Sequence, residues 1–148
     1  MYDQILVPTD GSEGSHAAAE HANDLATTYD AALHTIYVVD TNVGIDSSVP
    51  GTLDALEEAG EHAIDEVIQQ AEAADVETIE GVVAQGAPHR AILDYADEHD
   101  IDLVVMGTHG RTGLDRYLLG SVTEKVVRLS DAPVLTVRMP AESSDESS

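Results

Sequence analysis

Short apolar runs and longer stretches of helical spacing take turns along this chain. Tyr2 to Pro8 (YDQILVP) reads as a strand, and the stretch from about Ser12 to Tyr29 reads as a helix. The inward stripe of that helix is expected at Ala18, Ala22, Leu25 and Tyr29, and its many alanines permit close approach to a sheet. Ala32 to Val39 (ALHTIYVV) is a second strand. Asp40 to Gly51, with Asn, Gly, Ser and Pro, is expected to form a loop. Leu53, Leu56, Ala63, Val67 and Ala71 mark a second long helix, and Val76 to Ala84 a third strand. Gly86-Ala87-Pro88 opens a helix running to about His99, with proline in its first turn. Asp102 to Met106 is almost continuously apolar, as expected of a strand buried on both faces. A helix from about Ser121 to Leu129 and a fifth strand, Pro133 to Arg138, complete the pattern.

Strict β-α alternation calls for a single doubly wound parallel sheet with right-handed crossovers and helices on both faces. Nothing in the chain repeats or suggests a second folded unit. Ligands of such folds sit at the carboxyl ends of the strands, where the strand order reverses. With a five-stranded order of 3-2-1-4-5 the reversal lies between strands one and four. Two segments would then meet: Pro8-Thr9-Asp10-Gly11-Ser12, and the chain from Gly107 onward.

Composition sharpens the picture in two ways. Cysteine is absent, which removes disulfides and thiolate metal sites. No apolar run approaches the ~20 residues of a membrane helix, and the N-terminus lacks the pattern of a signal peptide. A cytoplasmic protein is expected. Asp and Glu total 29 against six Lys and Arg, for a formal charge of −23. That field disfavours nucleic acids and anionic membranes as partners. Acid on every predicted helix face, with Lys125 the only lysine, points to a halophilic surface whose self-repulsion is screened by salt.

The segment GTHGRTGLDRYLLGS, residues 107–121, concentrates the candidate chemistry. Gly107, Gly110 and Gly113 recur every three residues after a buried strand, as in a backbone nest for an anion or in an ordinary turn-rich loop. Arg111, Arg116, Lys125 and Arg128 place four of the six Lys and Arg residues in one 18-residue window, which favours a nearby anion. Ser121-Val-Thr-Glu124 fits a capping box, so Gly120-Ser121 reads as a helix start able to hold phosphate or as a plain cap. Asp10 fits an Asx turn or a contact to ribose or a phosphate-bound metal ion. His109 could meet phosphate, orient water or cap the loop. No P-loop, no GxGxxG after the first strand, no receiver-type acidic pair and no Ser-His-Asp set is present.

Together these residues resemble the universal stress protein family. Gly107, Gly110 and Gly120-Ser121 fit that family's nucleotide pattern G-x2-G-x9-G-[ST]. VVMGTHGR (104–111), LGSVT (119–123), ILVPTDGS (5–12) and APVLTV (132–137) are similar to the family in the same order. The resemblance implies an adenine nucleotide alpha hydrolase-like fold over residues 1–140; the polar, acidic composition of 141–148 is that of a disordered tail. The resemblance also implies binding of ATP or a related adenine nucleotide, with Mg²⁺ travelling on the phosphates. Thr9 and Asp10 would border ribose and phosphate, and Val38 would meet adenine through its backbone. Gly107 and His109 would line the pocket, and Gly110, Gly120, Ser121 and Val122 would hold phosphates, with Arg111 as a further contact. The family also implies homodimerisation through the last strand, residues 133–138. The expected role is that of a stress-response sensor or regulator working through nucleotide-dependent conformation, with at most slow ATPase activity and no assignable catalytic or metal-ligating residues. Two alternatives stand beside it: a protein-interaction module with a purely structural glycine loop, and a nucleotidyl-transferring enzyme, for which the chain is short.

Overall fold

The computed structural model describes residues 2–40, 52–107 and 116–138, with backbone alone at 52, 53 and 116–121. The expected tail, the loop from 41 to 51, and His109, Gly110, Arg111 and Gly113 lie outside the described residues. In chain order the elements are β1 (Gln4–Pro8), α1 (Glu13–Tyr29), β2 (Ala32–Asp40), α2 (Thr52–Ala73), β3 (Ile79–Gly86), α3 (Pro88–Glu98), β4 (Leu103–Gly107), α4 (Arg116–Leu129) and β5 (Val134–Val137). The five strands form one parallel sheet, as the alternation predicts, in the expected order β3-β2-β1-β4-β5.

Side-chain alternation along the strands splits the core into two layers. Ile5, Val7, Leu33, Leu103 and Val105 face Ala18, Ala19, Ala22 and Ala26 of α1 and Val67 and Ala71 of α2. Leu6, Ile36, Val104 and Met106 face the other side, with Ile92 and Ala96 of α3 and Val126 of α4. Every residue of β4 is buried, as its continuous apolar run requires. Asp102, at the start of β4, clips the chain's beginning to this strand. Its Oδ2 accepts from the N–H groups of Asp3 at 2.7 Å and Gln4 at 2.9 Å.

Three expectations need correction. The buried face of α1 is Gly14, Ser15, Ala18, Ala19, Ala22, Asn23 and Ala26, so Leu25 and Tyr29 lie at its margin. The alanines sink deepest because only small residues let the helix approach the sheet, while Tyr29 stays partly exposed and meets the Tyr2 ring edge-to-face at 5.2 Å. β3 starts at Ile79 rather than Val76. Val76 instead closes the end of α2, its N–H bonded to the Ala71 carbonyl at 3.1 Å beyond Asp75 in the left-handed region. Finally, α4 starts at Arg116, so Ser121 lies inside the helix and cannot be its N-cap. Arg and Leu are strong helix formers and carry the helix back by more than a turn.

One buried polar group lies within the α3 layer. His34 of β2, 4% exposed, has Nε2 2.6 Å from Gln4 Oε1 and Nδ1 2.7 Å from the Tyr95 hydroxyl. Tyr95 stacks on His99 at 3.8 Å between ring centres. Burial lowers the His34 pKa from the ordinary histidine value, Glu80 partly opposes this, and His99 adds to the lowering.

Candidate functional site

Pro8 ends β1, and the next four residues turn the chain into α1 through hydrogen bonds of their own side chains. Gly11 adopts φ 80°, a conformation that favours glycine. Ser12 is the N-cap of α1, its Oγ accepting from the Ser15 N–H at 3.2 Å. Asp10 closes an Asx turn, Oδ1 accepting from the Ser12 N–H at 2.9 Å. Thr9, 6% exposed, accepts the Gly11 N–H at 3.1 Å and donates to Ser15 Oγ at 3.1 Å. The Thr9 hydroxyl is therefore committed to the turn. Asp10 is half-buried, and its Oδ2 makes no hydrogen bond among the described residues.

β2 outruns β1. Their pairing ends at Pro8 and Ile36, while β2 continues beside β3 to Asp40. Ala32 N–H and Ile36 C=O bond toward the β1 side, and Leu33 N–H bonds toward the β3 side. The alternation turns the N–H and C=O of Val38 to the β1 side, above the last β1 partner. Among the described residues nothing bonds the N–H or C=O of Val38 on that side. Its side chain packs half-buried beside the layer of Leu6, Ile36 and Met106.

β4 borders the same space from the other side. The register that pairs Leu6 with Val104 carries Thr9 to the level of Gly107. A Cβ at Gly107 would lie 2.6 Å from the carbonyl oxygen of Gly14, so the two glycines put β4 and α1 in backbone contact. Thr123 of α4 donates to the Gly107 carbonyl at 3.2 Å and fastens the helix to the strand end.

The fold therefore brings Thr9, Asp10, Val38 and Gly107 together at the reversal of strand order between β1 and β4. Gly120 and Ser121 are on the backbone of the first half of α4, and Val122 is half-buried beside the α3 layer. Of the four cations grouped in the sequence, the side chains of Lys125 and Arg128 alone lie among the described residues. Arg128 lies in the last turn of α4 and pairs with Glu124 at 3.0 Å, and Lys125 is exposed on the same helix. Sequence reasoning missed Gly14, Ser15 and Thr123. A glycine inside the first turn of a helix is a signal for close packing, but the two hydroxyls act through tertiary contacts that spacing does not reveal. Among the described residues no group of three His, Asp or Glu could hold a metal ion, and no helix is long and apolar enough to cross a membrane.

Comparison with known proteins agrees with this architecture. The sequence pattern of the universal stress protein family matches residues 1–138. A universal stress protein of Methanocaldococcus jannaschii is 40% identical over 144 residues, covering 95% of this chain and 84% of the relative. The solved universal stress protein UspA of Lactobacillus plantarum superposes with a TM-score of 0.80 at 31% identity, covering 93% of this chain and 98% of that one. A universal stress protein solved in complex with cAMP superposes with a TM-score of 0.73 at 31% identity, covering 94% and 98%. With its strand order, its glycine-bordered switch point and a family match over nearly its whole length, the chain belongs to the universal stress protein family.

Proposed function

We propose that this protein binds an adenine nucleotide, ATP carried with Mg²⁺, at the β1–β4 switch point, and that the bound nucleotide biases its conformation in a stress response. The observation that carries the reading is the overhang of β2 beyond β1 at Val38. Val38 offers a backbone donor and acceptor suited to the edge of a planar base, beside a carboxylate oxygen of Asp10 and a Gly107 without a side chain. A relative solved with cAMP supports the same ligand class. A carboxylate oxygen without a partner among the described residues suits Mg²⁺, which keeps several waters and takes the rest of its ligands from phosphates. Thr9 would shape the site by holding the turn. His109, Gly110 and Arg111 would complete it by family resemblance. For the backbone of Gly120, Ser121 and Val122 to reach phosphates, the first turn of α4 would open, a direct route from nucleotide to conformation.

Calorimetric titration with ATP, AMP and cAMP, with and without Mg²⁺ in high KCl, tests this reading. Micromolar to millimolar binding of at least one nucleotide is expected, and none at millimolar concentration in folded protein would refute it. A family-like homodimer would join the open edges of two β5 strands, where Leu135 is exposed. Leu135→Asp should then yield monomers by light scattering in high salt, and an unchanged mass would count against this edge.

A further inference from the structure

We propose that Ser15 is the positioning residue of the site: its hydroxyl locks the Asp10 carboxylate so that one oxygen serves the turn and the other is left for the ligand. The inference rests on the nucleotide reading and adds a residue that touches no ligand. Ser15 is 6% exposed, in the first turn of α1, and its Oγ is the hub of the turn. The Gly11 N–H donates to Thr9 Oγ1, and the Thr9 hydroxyl donates to Ser15 Oγ. That leaves Ser15 one proton, within reach of Asp10 Oδ1 at 3.2 Å and the Ser12 carbonyl at 2.9 Å. Ser12 Oγ lies farther away, at 3.4 Å.

The Ser12 carbonyl is the nearer acceptor, but the proton goes to the carboxylate because a charge-assisted bond is about twice as strong as a neutral one. Asp10 Oδ1 then holds two donors, Ser15 O–H and Ser12 N–H, which tie the carboxylate to the turn. Among the described residues Oδ2 is the remaining acceptor, ordered without the entropy loss of fixing a free side chain on binding. Alanine at position 15 removes one of the two donors and lets the carboxylate rotate. The cap survives, since it uses the Ser15 backbone N–H.

The test is a double-mutant cycle on the full chain, reading Mg·ATP affinity by calorimetry in high KCl with melting temperature measured alongside. Ser15→Ala should weaken binding about three- to tenfold in the wild-type background. It should have no further effect in an Asp10→Asn background, because the charge it positions is gone. Ser15→Thr, which keeps the hydroxyl, should restore most of the affinity. Equal losses in both backgrounds would show a general loosening of α1 and overturn the proposal, as would unchanged affinity in Ser15→Ala. If wild type binds Mg·ATP and Asp10→Asn binds it equally well, the positioning role falls while the nucleotide reading stands. If folded wild type binds no nucleotide, both fall together.

Discussion

Adding one methyl group at Gly107 separates its packing from any role in ligand approach. The new Cβ would stand 2.6 Å from the Gly14 carbonyl oxygen and 2.9 Å from its carbon, and ordinary contact begins near 3.4 Å. The obstacle is the backbone of α1, which has no rotamer to change. The helix must retreat by about 0.8 Å or β4 must shift by the same amount. Both belong to a close-packed layer in which Ala18, Ala19, Ala22 and Val105 are wholly buried. Overpacking of this kind costs about 1–3 kcal/mol. In a chain of 148 residues, 2 kcal/mol corresponds to a fall in Tm of about 4–8 °C. The assay is thermal unfolding by circular dichroism for the variant and wild type at one high KCl concentration. Gly107→Ala should melt several degrees below wild type. A Gly107→Ala protein melting within about 1 °C of wild type would refute the backbone-contact argument and leave ligand approach as the reason for this glycine.

Three further outcomes follow from the same structure. Ser12→Ala removes the N-cap acceptor of α1 and should cost about 1 kcal/mol in urea unfolding, with glycine at the same position costing only a few tenths. His34 is held below its ordinary pKa chiefly by burial, so just below pH 6.5 the unfolded chain binds a proton that the folded chain refuses. Stability should therefore fall as pH is lowered through that window, and His34→Gln should flatten the slope of the urea midpoint against pH; an equal slope in both proteins would exclude His34 as the source. With a net charge of −23, the melting temperature should rise with KCl as the Debye length shrinks toward about 3 Å at 1 M, and a salt-independent Tm would refute the halophilic reading.

Parallel pairing and layering were legible in the sequence because they depend on period and alternation, which the chain states redundantly; the order 3-2-1-4-5 was assumed, since periodicity does not set which strands are neighbours. β4 is the clearest case of layering: an apolar run with no polar face has its place in the interior of a doubly covered sheet. The face of α1 was harder to read. Ala17, Ala18, Ala19, Ala22 and Ala26 allow several stripes, and bulky Leu25 and Tyr29 suggested the wrong one, since hydrophobicity does not reveal how closely a helix can approach. At the site, Asp10 and Gly107 stood out as a turn-forming residue just after β1 and a glycine at the end of β4. Val38 was indicated only by family resemblance; the structure adds the reason, the overhang of β2 beyond β1. Ser15, Gly14 and Thr123 were silent because their partners are remote in sequence or reached only through the turn.

The clip between Asp102 and the first residues of β1 also bears on how the chain emerges from the ribosome. β1 is the central strand, yet its second neighbour is about 100 residues downstream, while its first follows after a single helix. The β3-β2-β1 half can assemble early, leaving one edge of β1 without its partner until β4 is made. At a synthesis rate of 5–20 residues per second, the stretch from the end of β2 to the end of β4 takes roughly 3 to 13 s. Through that interval the backbone of Ile5 and Leu6 is an open β-edge, a place for chaperone capture or mispairing with another nascent copy.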